Sequence, residues 1–92
     1  MFLKDLAQIS KGTLLGESLH VNDFSIDSRS IKKGQLYIAL KGDNFDGHDF
    51  VEEAIKKGAS AVVISKDLKG DFPRIVVKDT KQFINSIAAN NR

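Results

Sequence analysis

The sequence predicts an α/β fold, a small mixed sheet of about five strands flanked by helices, and three observations carry that prediction. Two continuous apolar runs, Gln35-Leu36-Tyr37-Ile38-Ala39-Leu40 and Ala59 to Ile64, have the length and composition of strands buried on both faces. Between them, Asp49, Glu52 and Glu53 come early and Lys56 and Lys57 late, the charge order a helix dipole favours. A further short run, Arg74-Ile75-Val76-Val77, is followed by a second helical pattern, so strands and helices alternate as they do in a parallel sheet.

Taken in order, Phe2, Leu3, Leu6 and Ile9 recur at helical spacing and are closed by Ser10-Lys11-Gly12, which predicts a short amphipathic helix with that stripe in the core. From Thr13 to Asp27 the pattern is weaker, with Leu14-Leu15, Val21, Phe24 and Ile26 interrupted by Gly16 and Asn22-Asp23, and two or three short strands are expected. Leu36 to Leu40 should be a central strand. The helix over 49–57 is supported by the i,i+4 pairs Glu52-Lys56 and Glu53-Lys57, and Gly58 supplies its stop. Strands 36–40 and 61–64 should then be parallel, joined by a right-handed crossover, with Leu36, Ile38, Leu40, Val62 and Ile64 in the core. Pro73 enters the next strand where a missing N–H does least harm. Asp79 or Thr80 caps a last helix whose apolar face is Phe83, Ile84, Ile87 and Ala88. That helix runs into Asn90-Asn91-Arg92 without a glycine or proline exit, which reads as a cut through a longer protein, with a frayed natural terminus as the alternative.

Composition narrows the function classes. Ninety-two residues fit one domain with a thin core, and without cysteine there is neither disulfide nor thiolate chemistry. The net charge of +2 comes from 14 basic and 12 acidic residues interspersed along the chain, which gives little reason to expect nucleic acid. No apolar run approaches the ~20 residues of a membrane span and no signal peptide opens the chain, so a cytoplasmic domain is expected.

The segment most like a site is Lys41-Gly42-Asp43-Asn44-Phe45-Asp46-Gly47-His48, beyond the carboxyl end of a predicted strand, where open α/β sheets bind ligands. Gly42 and Gly47 would let backbone amides approach a phosphate, the following helix would add partial positive charge, and Asn44 could serve a base or sugar. The same residues would equally make a capped strand-to-helix turn. Ser28, in Asp27-Ser28-Arg29, could bond a ligand or close a turn, whereas Arg29 is expected to pair with Asp27 or Asp46. His48 stands beside Asp46 and Asp49, but with His20 in a distant segment a capping or substrate-lining role fits better than metal binding. A calcium loop starting at Asp43 fails because Phe45 and Gly47 fall where oxygen ligands are required. No glycine is followed by lysine, so the Gly-Lys-Ser/Thr of a phosphate loop is missing, and no catalytic residue or metal site is assigned.

Three blocks together carry a family resemblance: Ile26-Asp27-Ser28-Arg29, Gly34 to Gly42, and Phe45-Asp46-Gly47-His48-Asp49-Phe50 followed by Ala54-Ile55 and Gly58-Ala59. At these intervals the chain resembles the N-terminal domain of the Mur ligases, which extend the muramoyl peptide of bacterial cell wall. Asn44-Phe45-Asp46-Gly47-His48 leans toward the type that adds D-Ala-D-Ala over the type that adds the third amino acid. The resemblance implies a domain that binds the UDP moiety of UDP-N-acetylmuramoyl-peptide. It also implies an ATP-binding central domain, working with magnesium, and a C-terminal domain, neither present in this chain. It implies that Ile26 and Ser28 line the uridine diphosphate site and that Asp43, Asn44 and Phe45 form the loop contacting it or the start of the peptide, with Gly42 beside them. A free-standing nucleotide-binding or structural α/β module is the rival reading.

Overall fold

The computed structural model describes residues 1–66 and 68–90. The elements run in the order α1 (Leu3–Ser10), β1 (Thr13–Leu15), β2 (Phe24–Ser25), β3 (Leu36–Ile38), α2 (Val51–Lys56), β4 (Ala61–Ile64), β5 (Arg74–Val76) and α3 (Thr80–Asn90). The sheet order is β1-β5-β4-β3-β2, with β2, β3, β4 and β5 parallel and β1 antiparallel to β5. This is the mixed five-stranded α/β sheet expected. β3 has a neighbour on each side, although β4 holds the middle position.

Side-chain alternation divides the core in two. Leu36, Ile38, Ala61, Val63 and Ile75 face α1 and α3, where Leu3, Leu6, Phe83 and Ile87 meet them. Tyr37, Ala39, Val62 and Ile64 face the other side, against Val51 and Ala54 of α2. Because both faces are covered, β3 and β4 are apolar at every position rather than at alternate ones.

Several expectations need correction. Phe2 is 48% exposed: it lies before α1 in extended conformation, bridges to His20 and rests against the edge of that ring, so the buried stripe is Leu3, Leu6 and Ala7. Leu40 is only half-buried because it lies past the last paired residue of β3. Ala88 is exposed, one position beyond the face on which Phe83 and Ile87 bury themselves. The helix expected over 49–57 begins as a 3-10 turn, Gly47–Phe50, and becomes α-helical at Val51. Of its two expected ion pairs, Glu53–Lys57 forms at 3.9 Å. The last residues of the expected ending, Asn91 and Arg92, lie outside the described residues.

The helix stops are local. Gly58 takes φ +114°, and the Ala59 and Gly58 amides donate back to the Ala54 and Ile55 carbonyls, ending α2 and turning the chain into β4. At the end of α1 the left-handed position falls to Lys11, at φ 59°, and Gly12 donates to Ala7 O. Asp79 caps α3, accepting from the Lys81 amide at 2.9 Å.

Candidate functional site

Four parallel strands end along one edge of the sheet, and the residues just past those ends set the chemistry there. Ile26 comes after β2, Leu40 and Lys41 after β3, Ser65 after β4, and Val77 and Lys78 after β5. Two clefts meet at this edge. The first, about 640 Å³, is lined by Ile26 and the Asp27-Ser28-Arg29 segment together with Phe45, Phe50 and Glu53. The second, about 700 Å³, is lined by Ile26, Lys41, Gly42, Phe45 and Ser65 and by Lys78 through Lys81 at the start of α3. Ile26 and Phe45, 48% and 50% exposed, belong to both and form the ridge between them.

The first cleft is built by a capped turn. Asp27 accepts from the Arg29 amide at 2.9 Å and closes a 3-10 turn over Ser28–Ser30. The Arg29 guanidinium grips the same carboxylate through two hydrogen bonds of 3.1 Å, the structural pairing expected of it. That side-chain contact, then the amide, holds the Asp27 carboxyl below its usual range and pushes Arg29 up. The turn leaves Ser28 6% exposed with its hydroxyl donating to Glu53 Oε2 at 3.0 Å, so its proton is committed to α2 and its lone pairs remain. Phe50, from the turn before α2, stacks on Phe45 with centroids 5.3 Å apart and planes at 12°.

The loop between β3 and α2 is a closed turn rather than an open cradle. Lys41 and Asp46 bridge its base, the Gly42 amide donates to Phe45 O at 2.6 Å, and the Gly47 amide donates to Leu40 O at 2.6 Å. The His48 amide donates to the Asp46 carboxylate at 3.0 Å and the Asp49 amide to Asp46 O at 3.1 Å. The expected phosphate cradle from the Gly42 and Gly47 amides and the helix start is therefore corrected: these amides are already bonded within the chain. Gly47 is required for packing, since a Cβ there would lie 2.8 Å from Leu40 N and 2.9 Å from Leu40 O, whereas one at Gly42 would meet nothing nearer than Phe45 O at 3.8 Å.

His48 anchors this turn to the sheet. Its Nε2 accepts from the Ser65 amide at 2.9 Å, which leaves the ring proton on Nδ1 to face the Asp46 carboxylate at 2.6 Å. The amide of His48 first, then its ring, and Lys66 at 3.2 Å, hold the Asp46 carboxyl well below the usual carboxylate range. Tyr37, fully buried, donates its hydroxyl to Gly47 O at 2.8 Å, and burial pushes its phenol up to about 12. His48 is thus a buried structural residue, with its turn and the end of β4 as partners.

The sequence-predicted residues therefore separate. Ile26, Ser28 and Phe45 line the first cleft, Ile26, Gly42 and Phe45 the second, and Asp43 and Asn44 sit exposed on the turn, lining neither. Sequence reasoning missed Glu53 as the partner of Ser28, and Ser65, Lys78 and Thr80 as lining residues, although it placed Lys41 in the candidate loop. The signal for the latter was available, because residues just past parallel strands gather at one edge. Among the described residues no three His, Cys, Asp or Glu side chains gather to hold a metal ion, and the sequence contains no Gly-Lys-Ser/Thr loop. Among the described residues no helix is long and apolar enough to cross a membrane.

Comparison with known proteins gives concordant matches. A family model described as "Mur ligase family, catalytic domain" matches residues 20–92. The UDP-N-acetylmuramoyl-tripeptide–D-alanyl-D-alanine ligase of Escherichia coli K12 is 38% identical over 95% of this chain, and that of Buchnera aphidicola 42% identical over 94%. In each case the match covers 19% of the relative, so this chain spans about a fifth of their length. The UDP-N-acetylmuramoyl-L-alanyl-D-glutamate–2,6-diaminopimelate ligase of Aquifex aeolicus is 40% identical over 74% of the chain and 14% of the relative. Among solved structures, MurF from Acinetobacter baumannii superposes with a TM-score of 0.83 over 94% of this chain and 20% of its own, at 24% identity, which speaks for the fold alone. MurF ligase from Thermotoga maritima gives 0.68 over 82% of this chain and 18% of its own, at 29% identity. With the family model, the curated relatives and the superposed sheets in agreement, the chain belongs to the Mur ligase family and has the fold of its N-terminal domain.

Proposed function

We propose that this chain anchors the uridine diphosphate end of UDP-N-acetylmuramoyl-tripeptide in an ATP-dependent ligase that adds D-alanyl-D-alanine to a peptidoglycan precursor. The observation that carries the reading is the convergence of Ile26, Ser28 and Phe45, from separate segments, on one open cleft at the carboxyl edge of the sheet. Ile26 and Phe45 offer apolar surface to the face of a base, and the Ser28–Glu53 pair offers acceptors to the N–H and O–H donors of a base and ribose. Those are the needs of a nucleoside. ATP binding and the amide-forming step, through an acyl phosphate, belong on this reading to domains outside the chain.

A 15N NMR titration of the 92-residue chain with UDP tests the assignment. UDP has about 25 heavy atoms, and at ~0.3 kcal/mol per atom the affinity ceiling is ~7.5 kcal/mol, a dissociation constant in the micromolar range, with weaker binding expected from one domain alone. Shifts should concentrate at Ile26, Ser28 and Gly42 to Phe45. Saturable shifts that miss all of them would remove the proposal.

A second reading is a ligase adding the third amino acid, favoured by the Aquifex aeolicus relative at 40% identity. Both readings use the same nucleotide, so assay of a full-length ligase containing this domain, offering D-Ala-D-Ala or diaminopimelate, separates them.

A further inference from the structure

His48 is a titratable ring that the nucleotide reading leaves unused, and only 2% of its side chain is exposed. Its hydrogen bonds fix its charge state. A backbone N–H can only donate, so the Ser65 amide 2.9 Å from Nε2 requires a lone pair on that nitrogen. The single ring proton then sits on Nδ1, facing the Asp46 carboxylate at 2.6 Å, and the ring is neutral. It forms a bar between two segments that both lead into the clefts. Asp46 adjoins Phe45, which lines both, and Ser65 lines the second together with it.

The turn is held at two places. At Gly47 the amide donates to Leu40 O and the carbonyl accepts from the Tyr37 hydroxyl, which fixes that residue on β3. The link to the end of β4 is made by the His48 ring and by Lys66, 3.2 Å from Asp46 Oδ2. Lys66 is 56% exposed, and an exposed ion pair holds a turn weakly, whereas the bond from Ser65 lies behind a closed ring. The other charged groups beside the ring are the carboxylates of Asp49 and Glu52 and the Lys69 ammonium, which share a groove with it. A proton on Nε2 would leave the Asp46 contact in place as an ion pair but set two N–H groups against each other where one now accepts. Ser65 Oγ, 3.4 Å from Nε2, is the acceptor then on offer, and a sound bond to it needs the ring and the strand end to move relative to each other.

We propose that His48 is a positioning residue of the nucleotide site: its neutral ring, bridging Asp46 to the Ser65 amide, holds Phe45 over the clefts, and a proton on Nε2 detaches the turn from β4 and weakens the ligand. The inference rests on the nucleotide reading proposed above and adds a regulation to that site. Gly47 is the pivot, since its bonds to β3 do not involve the ring. His48 touches no ligand on this reading. It acts through the place it gives to Phe45, so acid should lower affinity without unfolding the sheet.

The test follows amide and imidazole NMR signals of the ligand-free chain between pH ~8 and pH ~5, then UDP affinity over the same range, in wild type, His48→Gln and His48→Ala. In wild type the amides of Ser65 and of residues 43–45 should shift with the midpoint of the His48 ring, and UDP should bind about fivefold more weakly below that midpoint, as loss of one hydrogen bond gives. The terminal phosphate of UDP also takes up a proton in this range, so the reading is the wild-type step in excess of the step in His48→Gln. Glutamine stays neutral and keeps a carbonyl for the Ser65 amide, so that variant should show the phosphate step alone. His48→Ala, without either bond, should bind UDP about fivefold more weakly than wild type at pH ~8 and show no excess step. Should His48→Ala fail to fold, the comparison of wild type with His48→Gln decides. A Ser65 amide that ignores the ring's titration, or equal steps in wild type and His48→Gln, overturns the inference and leaves the nucleotide reading standing. Coupled shifts of ring, Ser65 and turn with no UDP binding at any pH keep the latch and overturn the nucleotide reading.

Discussion

Ser28 and Glu53, 25 positions apart, are joined by a 3.0 Å hydrogen bond that ties the turn after β2 to α2 across the mouth of the first cleft. Residues on both sides of that bond line the cleft, so it fixes the cleft's width as well as contributing to the fold. Ser28→Ala should lower stability by about 1 kcal/mol, because the lost bond joins a buried donor to a half-exposed carboxylate. It should also weaken UDP binding. Thermal melts and a UDP titration of the same sample check both; unchanged values in both would show the bond to be idle.

Ile38→Ala should cost ~2–5 kcal/mol, since Ile38 is 0% exposed between α1 and α3 on the more heavily packed face of the sheet. For a domain of this size that is a large share of the whole stability. A urea midpoint that falls without change in slope is the expected result.

Gly47→Ala and Gly42→Ala should behave oppositely although both lie in one turn. The Cβ at Gly47 would press on backbone atoms of Leu40 and Ala39 that cannot swing aside, at a cost of ~1–3 kcal/mol. Gly42→Ala meets only Phe45 O at 3.8 Å, an ordinary contact, so it should preserve the melting temperature and act on ligand affinity alone. Differential scanning calorimetry of the pair separates a glycine needed by the fold from one that only lines a cleft.

Stability should bend at both ends of the pH range for different reasons. Burial raises the Tyr37 phenol to about 12, so the folded chain keeps a proton that the unfolded chain gives up near pH ~10. Its contribution is complete below pH ~10 and is lost as pH rises toward 12. Asp46 runs the other way: the His48 amide and ring lower its carboxyl, so its contribution is complete above pH ~4 and lost as pH falls further. Urea midpoints against pH should show both limbs. Tyr37→Phe should flatten the alkaline one and Asp46→Asn the acid one.

The purified chain should neither hydrolyse ATP nor form an amide, because it supplies no phosphate loop and, among the described residues, no cluster of metal ligands. A phosphate-release assay with and without UDP checks this, and turnover that survives further purification would contradict it.

The parts of the fold legible in the sequence are those fixed by short-range pattern. Leu36 to Ile38 and Ala61 to Ile64 are apolar at every position because each is covered on both faces, and that leaves a continuous run anyone can count. The antiparallel pairing of Thr13–Leu15 with β5 leaves no such mark, because a three-residue edge strand with half-exposed side chains has no periodicity to read. Phe2 misleads for a related reason: its spacing suits α1, but it precedes the first helical residue and its backbone is extended. At the site, Ile26, Ser28 and Phe45 are legible, whereas the Ser28–Glu53 bond and the gathering of Lys41 and Lys78 depend on strand order, which local composition does not encode.

The two unlike cores on either side of the sheet also protect this small domain against misregistered folding. Pairing places Leu36 opposite Ala61, Tyr37 opposite Val62 and Ile38 opposite Val63. Sliding β3 by one position would turn each of its side chains to the other face. Leu36 and Ile38 would then have to enter the layer that Ala54 and Ala59 make shallow, while the Tyr37 ring would be driven among Leu3, Phe83 and Ile87 with its hydroxyl cut off from Gly47. A slipped sheet is thus penalised on two surfaces at once, so strands of three and four residues can still find a single alignment.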